Sequence, residues 1–373
     1  MSGSNASEAR LPSRATLEHA GGGYWRYPIT DFAFLRNMHF PTPTMLAELS
    51  QRLPELLFAY GSRQSTLDAL AARFLGCDPA HVVALHGASQ VYPWLAAELS
   101  HDRVAAPRPT FGEYDRLFPG RSAYRDDFTF TRADLEALDG RAHALDALVF
   151  VNPNNPTGTT IASRDLLAMA DAHPRLRLIV DESFIRFTLE PSLIPLLEAA
   201  PRNNVLVIQS FSKDLGMPGL RLGAAYSRDV ALLSRLRAAL PIWNLSALGE
   251  HLLERLVDHR AELSASLDAT RRDRADFERQ LAMLDGVNVR RGGGNFVVTS
   301  FPCDAASAAS VADRLLAEDA LLVKDISPKI DDGLGHYRLA VRTPEDHAAL
   351  VRALGAHLPT LSATRTRGTD SGR

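Results

Sequence analysis

Four short apolar runs in the sequence are each followed by residues whose side chains could do chemistry. The runs lie at 82–85, 147–151, 176–180 and 205–209, and the segments after them are Gly87-Ala88-Ser89-Gln90, Asn152-Pro153-Asn154-Asn155-Pro156-Thr157-Gly158, Asp181-Glu182, and Ser210-Phe211-Ser212-Lys213 with Pro218-Gly219-Leu220-Arg221 beyond it. Small residues at a helix start can bind a phosphate, and a lysine can form a Schiff base. Ligands of open α/β sheets gather at the carboxyl ends of the strands. We therefore expect these segments to form one site.

The elements that must position this site alternate along the chain. Helical patterns at 66–75, 88–99, 132–138 and 163–173 separate many of the apolar runs. Strands that are apolar on both faces, with helices between them, are typical of a mostly parallel sheet covered on both sides. The sequence therefore predicts an α/β fold with a three-layer α/β/α large domain. After 285, short strands at 295–300 and 337–341 with a helix at 305–319 predict a smaller α+β domain.

The same patterns predict the domain organisation. We expect five parts, namely a flexible N-terminal arm at 1–23, a segment at 24–44 that packs on the small domain, a large domain at 45–255, a small domain at 256–359 and a disordered tail at 360–373.

Composition excludes several classes of function. The 41 basic and 44 acidic side chains give a net charge of −3, which argues against charge-driven binding to nucleic acid or to an anionic membrane. Cys77 and Cys303 are the two cysteines, so a disulfide framework and a cysteine zinc site are excluded. No apolar run approaches the ~18 residues of a spanning helix, and the first residues do not resemble a secretory signal. We expect a cytoplasmic protein.

Each of the four segments has an ordinary explanation when taken alone. The segment 87–89 could cap a helix, 152–158 could form two turns, Asp181 could close a strand edge, and Lys213 could be a surface lysine. One cofactor nevertheless requires all four together. Pyridoxal phosphate (PLP) needs a lysine, a carboxylate at its pyridine nitrogen, donors for its phosphate and a hydrogen bond to its phenolic oxygen.

On these residues the sequence resembles the class I/II aminotransferases, which are fold-type I enzymes that use PLP. The resemblance runs from about Tyr24 to Leu358. Its strongest motifs are N-N-P-T-G at 154–158, V-D-E-S-F at 180–184 and S-F-S-K-x(4)-P-G-L-R-L-G at 210–223. Within that superfamily the sequence looks most like the branch of histidinol-phosphate aminotransferase and threonine-phosphate decarboxylase.

The resemblance implies a role for each matching residue. Lys213 would form the Schiff base, and Asp181 would face the ring nitrogen, so these two would be catalytic. The other cofactor contacts would be Asn155 to the phenolic oxygen, Phe111 stacked on the ring, Ala88, Ser89, Ser210, Ser212 and Arg221 at the phosphate, and Tyr60 reaching the phosphate of a neighbour across a homodimer interface. Arg338 would bind the substrate carboxylate bidentately, and we include Arg342 and Asn37 among the substrate contacts.

Three positions depart from the usual aminotransferase pattern. Phe184 stands where most members have tyrosine, and it cannot donate a hydrogen bond to the phenolic oxygen, which should favour a protonated Schiff base. Arg342 replaces a common glycine, and the substrate segment reads Asn37-Met38-His39. Phe184 and Arg342 both resemble the decarboxylase side of the branch. We expect transamination of an amino acid, with or without a phosphate group, and decarboxylation as the alternative.

Other classes of protein fit the sequence less well. Ser210-x-x-Lys213 matches the S-x-x-K motif of serine acyl enzymes, but the companion S-D-N and K-T-G motifs are missing. The 12 histidines include no H-E-x-x-H, so we predict no metal site. A catalytically silent PLP-binding regulator is a third alternative. Absorbance of a cofactor that is lost in Lys213→Ala would exclude the serine enzyme.

Overall fold

A computed structural model describes residues 11–100, 103–126, 128 and 130–358. Its strands are β1 (Thr30–Asp31), β2 (Val82–Leu85), β3 (Val104–Arg108), β4 (Ser122–Arg125), β5 (Ala147–Val151), β6 (Arg177–Asp181), β7 (Val205–Ser210), β8 (Gly223–Ser227), β9 (Asn288–Arg290), β10 (Phe296–Phe301), β11 (Leu321–Leu322), β12 (Lys324–Asp325) and β13 (Gly335–Ala340). Its α-helices are α1 (Arg14–Ala20), α2 (Pro43–Leu57), α3 (Gln64–Leu75), α4 (Val91–Glu98), α5 (Gly112–Leu117), α6 (Arg132–Asp139), α7 (Ser163–Ala172), α8 (Leu193–Ala199), α9 (Phe211–Asp214), α10 (Val230–Ala238), α11 (Ala247–Arg255), α12 (Arg260–Ala282), α13 (Ala305–Asp319) and α14 (Pro344–His357).

The chain divides into two compact units. The larger unit holds Arg36–Arg272 and Gly292–Asn295, and the smaller unit holds the chain up to Leu35, Asp273–Arg291 and the chain from Phe296. The division falls within α12, whereas the sequence analysis places the domain boundary at 255/256. The helix runs through the division without interruption, so the local pattern carries no signal for it.

A seven-stranded sheet forms the centre of the larger unit. Its order is β2-β8-β7-β6-β5-β3-β4, and β8 alone runs antiparallel to its neighbours. Val149 on β5 packs into an apolar cluster on one face, and Leu148 and Phe150 pack into another on the opposite face. Because strand side chains alternate between faces, both faces need helices to cover them. The mostly parallel α/β/α arrangement is therefore confirmed.

The carboxyl ends of four strands meet at one edge of this sheet. In the strand register, Asp181 at the end of β6 lies beside Ile208 on β7, and Ser210 at the end of β7 lies beside Gly223. Leu85 at the end of β2 also pairs with Gly223. Backbone pairing thus brings the chemistry-bearing segments of the sequence to one place.

The N-terminal region is more ordered than the sequence analysis predicts. Residues 14–20 form α1, which begins where the Ser13 side chain accepts from Thr16 N and ends at Gly21 in a left-handed conformation. Leu17 is buried in an apolar cluster with Tyr24 and Leu322. The Ser13 cap and the buried Leu17 explain why residues 14–20, which are expected to belong to a flexible arm, form a helix. Residues 1–10 and the predicted tail at 360–373 lie outside the described residues.

A four-stranded antiparallel sheet of order β12-β13-β10-β9 dominates the smaller unit. Helices α13 and α14 contribute Leu315 and Leu350 to the apolar cluster that covers it. β1 and β11 form a separate parallel pair. None of the helices of the described residues is both long enough and apolar enough to cross a membrane.

Candidate active site

Three segments of the larger unit converge on the guanidinium of Arg221. Its Nη1 donates to Ser212 Oγ over 3.1 Å, and its Nη2 donates to Ser89 Oγ over 3.2 Å. Arg221 itself has a positive φ of 53°, which is uncommon for a residue with a side chain. The three side chains form a small polar cradle with one fixed positive charge, so three of the predicted phosphate contacts lie together.

Gly87 leaves the space that this cradle needs. Its φ is 76°, and a Cβ atom at this position would lie 2.5 Å from Arg221 Nη2. A side chain would therefore displace the guanidinium. Ala88 follows at the start of a short 3-10 turn that leads into α4, which places backbone N–H groups beside the cradle, as anion sites require.

Asp181 is a buried carboxylate held by four neutral donors. The Tyr92 and Tyr114 hydroxyls donate to Oδ2 over 2.9 and 3.0 Å. The Ser183 backbone N and hydroxyl donate to Oδ1 over 3.1 and 2.6 Å. Donors of this kind stabilise the negative form. Burial, with the charge of Asp181 next to them, raises the pKa of both tyrosines well above the usual value, so both keep their protons.

Hydrogen bonds and an ion pair with other segments hold the residues around Lys213 in place. Lys213 lies in the short helix α9 and is half-buried, and its carbonyl accepts from Asn37 N over 2.8 Å. The next residue, Asp214, is buried and pairs with Arg186 at 3.1 Å. Desolvation raises the pKa of Asp214 to about 6, although Arg186 opposes this shift. Ser210 precedes α9, and its N–H donates to Ser183 Oγ over 3.3 Å.

The side chain of Asn37 is fully used within the larger unit. Its Nδ2 donates to Asp214 O and Ser266 Oγ over 2.9 and 2.8 Å, and its Oδ1 accepts from His39 N and Thr270 Oγ1 over 2.9 and 3.1 Å. These bonds fill the capacity of an amide. They give Asn37 a structural part in holding the lysine segment, and its contact with substrate stays a prediction.

Two further cofactor positions lie on loops after β3 and β5. Phe111 is 38% exposed, and its ring centroid lies 6.0 Å from that of Tyr92. Asn155 is half-buried and follows Asn154, whose amide is bonded to the carbonyl of Pro109 over 2.9 Å. The two loops are therefore connected to each other. Phe184 is 4% exposed and, as a phenylalanine, offers no hydroxyl at its position.

Tyr60 lies on the surface of the larger unit. It is 78% exposed, and its ring stacks on Trp243 at a centroid distance of 4.5 Å. This contact does not bring its hydroxyl to the phosphate cradle, so its predicted role across a homodimer interface stays a prediction.

The two predicted substrate arginines belong to the smaller unit. Arg338 on β13 donates to Ala33 O and lies 5.8 Å from the Phe296 ring, and desolvation lowers its pKa to about 10. Arg342 donates to Asp346 Oδ2 over 2.8 Å and to Asp31 O over 2.9 Å. Arg342 thus ties the start of α14 to β1, and the substrate contact of either arginine stays a prediction.

The arrangement fits a molecule with an anion at one end and a protonated nitrogen at the other. Arg221 with Ser89 and Ser212 suits a phosphate. The hydrogen-bond donors described for Asp181 are neutral, and its buried charge is complementary to a cationic ring nitrogen. Lys213 lies in α9, which directly follows β7, and β7 pairs with β6, the strand that ends at Asp181. These are the groups that PLP requires.

Sequence reasoning misses several residues of this site. Tyr92 and Tyr114 lie in helices α4 and α5, where a tyrosine usually indicates core packing. Their shared partner is 67 or more residues away in the chain, so no local spacing indicates the contact. Asp126, which contacts the β5 loop, lies in the polar run Arg125-Asp126-Asp127 and reads as a solvated turn.

Several known proteins have sequences or folds similar to those of this chain. Residues 35–354 match the family Aminotransferase class I and II. The chain is 33% identical over 347 residues to CMP-5'-(3-aminopropyl)phosphonate synthase of Streptomyces rubellomurinus, covering 91% of this chain and 54% of that protein. The chain thus spans about half the length of that relative.

Two further proteins represent the two sides of the predicted branch. L-serine phosphate decarboxylase of Sulfurospirillum multivorans is 28% identical over 80% of this chain and 79% of its own length. Histidinol-phosphate aminotransferase of Clostridium acetobutylicum has a similar fold, with a TM-score of 0.78 at 20% identity over 89% of this chain and 100% of its own. The family match covers most of the chain, and the chain therefore belongs to the aminotransferase class I and II family.

Proposed function

We propose that this protein is a PLP-dependent aminotransferase that acts on an amino acid through a Schiff base at Lys213. The observation that carries the proposal is Asp181, a buried carboxylate with four neutral donors. Arg221 with its two serines provides the complementary phosphate site in the same unit. Asp181 ends β6, and β6 pairs with β7, which leads directly into the helix of Lys213.

Four residues of the larger unit have a defined role in this proposal. When bound, PLP supplies an electron-withdrawing ring that stabilises negative charge at the substrate α-carbon. Asp181 keeps the proton on the ring nitrogen, and the Arg221 cradle binds the phosphate. Asn155 donates to the phenolic oxygen. Lys213 Nζ would hold the cofactor covalently and, as a free amine, would move the proton at the substrate α-carbon.

The covalent link is the direct test. Borohydride reduction of the purified protein with PLP, followed by peptide mapping, should place the label on Lys213. Lys213→Ala should lose the reducible label and the turnover, while it can still bind PLP without a covalent bond. A label on another lysine would contradict the proposal. Lys329, in the smaller unit, is a suitable control position for Lys→Ala substitution.

We also propose that the substrate carries a phosphate or a phosphonate. The names of the relatives include a phosphonate product and a serine phosphate substrate. A panel of amino acids with and without a phosphate group should therefore show a preference in kcat/KM for the phosphorylated members.

Decarboxylation is the second candidate reaction, and two observations favour it. Phe184 provides no hydroxyl at a position where the resemblance places tyrosine in most aminotransferases. One relative is named as a decarboxylase, and another as the synthase of an aminopropylphosphonate, which is an amine without a carboxylate. Loss of CO2 leaves such an amine, whereas transamination leaves a keto acid.

One experiment separates the two reactions. The holoenzyme is mixed with the panel of amino acids and phosphorylated amino acids. Transamination gives a pyridoxamine absorbance in the near ultraviolet and a new keto acid. Decarboxylation gives CO2 and a stable amine with no keto acid, and this result would replace the first candidate by the second. Neither product, with PLP bound to Lys213, would favour the silent PLP-binding regulator.

We further propose a homodimer located in the cytoplasm. Near Tyr60 the larger unit exposes large apolar side chains, which often mark an interface. They are Leu57 at 67%, Phe58 at 92%, Ile242 at 69% and Trp243 at 49% exposed. Phe58→Asp should give a monomer in sedimentation and weaken PLP binding, whereas Met283→Asp in the smaller unit should not. A fully active monomer would contradict the homodimer.

A further inference from the structure

Asp126, directly after β4, is a buried carboxylate that the proposed chemistry does not use. Its side chain accepts from Asn154 Nδ2 over 2.6 Å, from Thr157 Oγ1 over 2.9 Å and from Thr159 Oγ1 over 2.6 Å. The Phe128 N–H donates to it as well, over 3.1 Å. Three of these four partners belong to the loop after β5.

Among the residues that the structure describes, the backbone bonds of this loop are made within the loop, to β6 and to the segment at 292–295. Asn154 N donates to Thr159 O, and Gly158 N donates to Asn154 O, both over 2.8 Å. Gly158 O accepts from Gly293 N over 2.7 Å. These bonds close the loop on itself and connect it to the segment at 292–295. The carboxylate of Asp126 makes the attachment to β4, and it holds the loop on both sides of Asn155.

The same network continues to the loop that carries Phe111. Asn154 Nδ2 also donates to Pro109 O over 2.9 Å, and Thr110 Oγ1 donates to Asn154 Oδ1 over 3.2 Å. Phe111 follows Thr110 directly in the sequence. One buried carboxylate thus connects the two loops to which the sequence assigns contacts with the face and the phenolic oxygen of the cofactor ring.

Burial of this carboxylate has a cost. Asp126 is 3% exposed, and desolvation raises its pKa, although the hydrogen bonds from Thr159, Asn154 and Thr157 oppose the shift. The four donors described above are neutral. A charge buried without a cation weakens stability unless its bonds are complete.

We propose that Asp126 is a positioning residue for the cofactor, because its carboxylate fixes the loop from which Asn155 donates to the phenolic oxygen. This inference rests on the proposed function. Phe184 has no hydroxyl, so Asn155 is the one side chain to which the motifs assign a hydrogen bond to the phenolic oxygen. The position of Asn155 therefore matters more in this chain. Asp126 itself touches no reacting atom.

The first test follows the absorbance of the Lys213-bound cofactor as a function of pH in the holoenzyme. Asn155→Ala should raise the titration midpoint by about one pH unit, as expected for one lost hydrogen bond to a charged oxygen. Asp126→Asn should shift the midpoint in the same direction, and the double variant should shift no further than Asn155→Ala alone. A wild-type midpoint in Asp126→Asn, or shifts that add in the double variant, would overturn the proposal.

A set of threonine variants keeps the test decisive if Asp126→Asn does not fold. Thr157→Val and Thr159→Val each remove one donor to the carboxylate and should shift the midpoint in the same direction by less. Thr160→Val is the matched control, since Thr160 is exposed and its hydroxyl donates within the loop to Gly158 O over 3.4 Å. Equal behaviour of all three valine variants would overturn the proposal.

Hydrogen exchange of the protein without cofactor separates this inference from the proposed function. Backbone amides at 152–159 should exchange faster in Thr157→Val and Thr159→Val than in Thr160→Val, because the loop loses its attachment. Unchanged exchange would overturn the role of Asp126 even where PLP binds. Faster exchange in a protein that never takes up PLP would instead uphold the attachment and reject the proposed function.

Discussion

The hydroxyl of Tyr92 donates to Asp181 Oδ2 over 2.9 Å, and the two residues are 89 positions apart in the chain. Tyr114 donates to the same oxygen from a different helix. Tyr92 and Tyr114 thus hold the carboxylate of Asp181, and Asp181 in turn is expected to hold the ring nitrogen of the cofactor. The two hydroxyls fix the position of this carboxylate before the cofactor binds, as is expected of a preorganised site.

Removal of one of these hydroxyls should slow the reaction without unfolding the protein. We expect Tyr92→Phe and Tyr114→Phe each to lower kcat about tenfold, because the buried charge loses one donor worth roughly 1–2 kcal/mol. Tyr226→Phe is the matched control, since Tyr226 is also buried and donates to a carboxylate, that of Glu198, over 2.6 Å. Steady-state kinetics with the measured free energy of unfolding checks this, and equal effects on kcat in all three variants would contradict it.

Neutralising the carboxylate itself should have a far larger effect. Asp181→Asn keeps the size of the side chain but removes the charge that holds the proton on the ring nitrogen. We expect a loss of several orders of magnitude in kcat while PLP stays bound and the Lys213 label still forms. A loss below tenfold, ~1.4 kcal/mol, would reject this assignment.

A methyl group at Gly87 should damage the phosphate cradle. Gly87→Ala forces a residue with a side chain into φ 76°, with its Cβ 2.5 Å from Arg221 Nη2. Gly76→Ala is the control, because Gly76 has φ 73° and a methyl group there would meet none of the described atoms within 4 Å. Both should lose roughly 1–2 kcal/mol or more of stability from backbone strain. Only Gly87→Ala should also lose the rise in Tm that PLP gives, and a normal rise there would count against the cradle.

Asp214 should make stability depend on pH. Burial raises its pKa from 3.8 to about 6 in the folded protein, so the folded state holds the proton more tightly than the unfolded state. The contribution is fully present below about pH 4 and is lost as the pH rises to about 6 and above. Asp214→Asn should therefore flatten the fall in unfolding free energy between these values, whereas Asp276→Asn at an exposed ion pair should not. Parallel profiles for wild type and Asp214→Asn would refute the assignment.

The sequence predicts the core strands and the chemistry well, because both depend on local patterns. The apolar runs at 82–85 and 147–151 coincide with β2 and β5, the run at 205–209 covers all but the last residue of β7, and the helix at 305–319 coincides with α13. β4 escapes prediction because Ser122–Arg125 is short and polar in part.

What the sequence leaves open is set by contacts between distant residues. The insertion of β8 between β2 and β7 is a property of pairing, not of any one strand. The Tyr92 and Tyr114 contacts with Asp181, and the network around Asp126, likewise join segments that are far apart in the chain. Local patterns place each segment at the sheet edge, and tertiary packing decides which of them touch.

Asp181 and Glu182 leave the end of β6 in opposite directions. Asp181 contacts Tyr92 and Tyr114, whereas Glu182 accepts from Leu193 N over 2.7 Å and from Gln209 Nε2 over 2.9 Å and so anchors α8. Deletion of one residue in β6 would bring Glu182 to the position of Asp181, and insertion of one residue would bring Asp181 to the position of Glu182. The deletion would place the longer acid in the candidate site, and the insertion would leave the anchor of α8 too short. Over evolutionary time β6 can therefore vary in its apolar residues but not in its length.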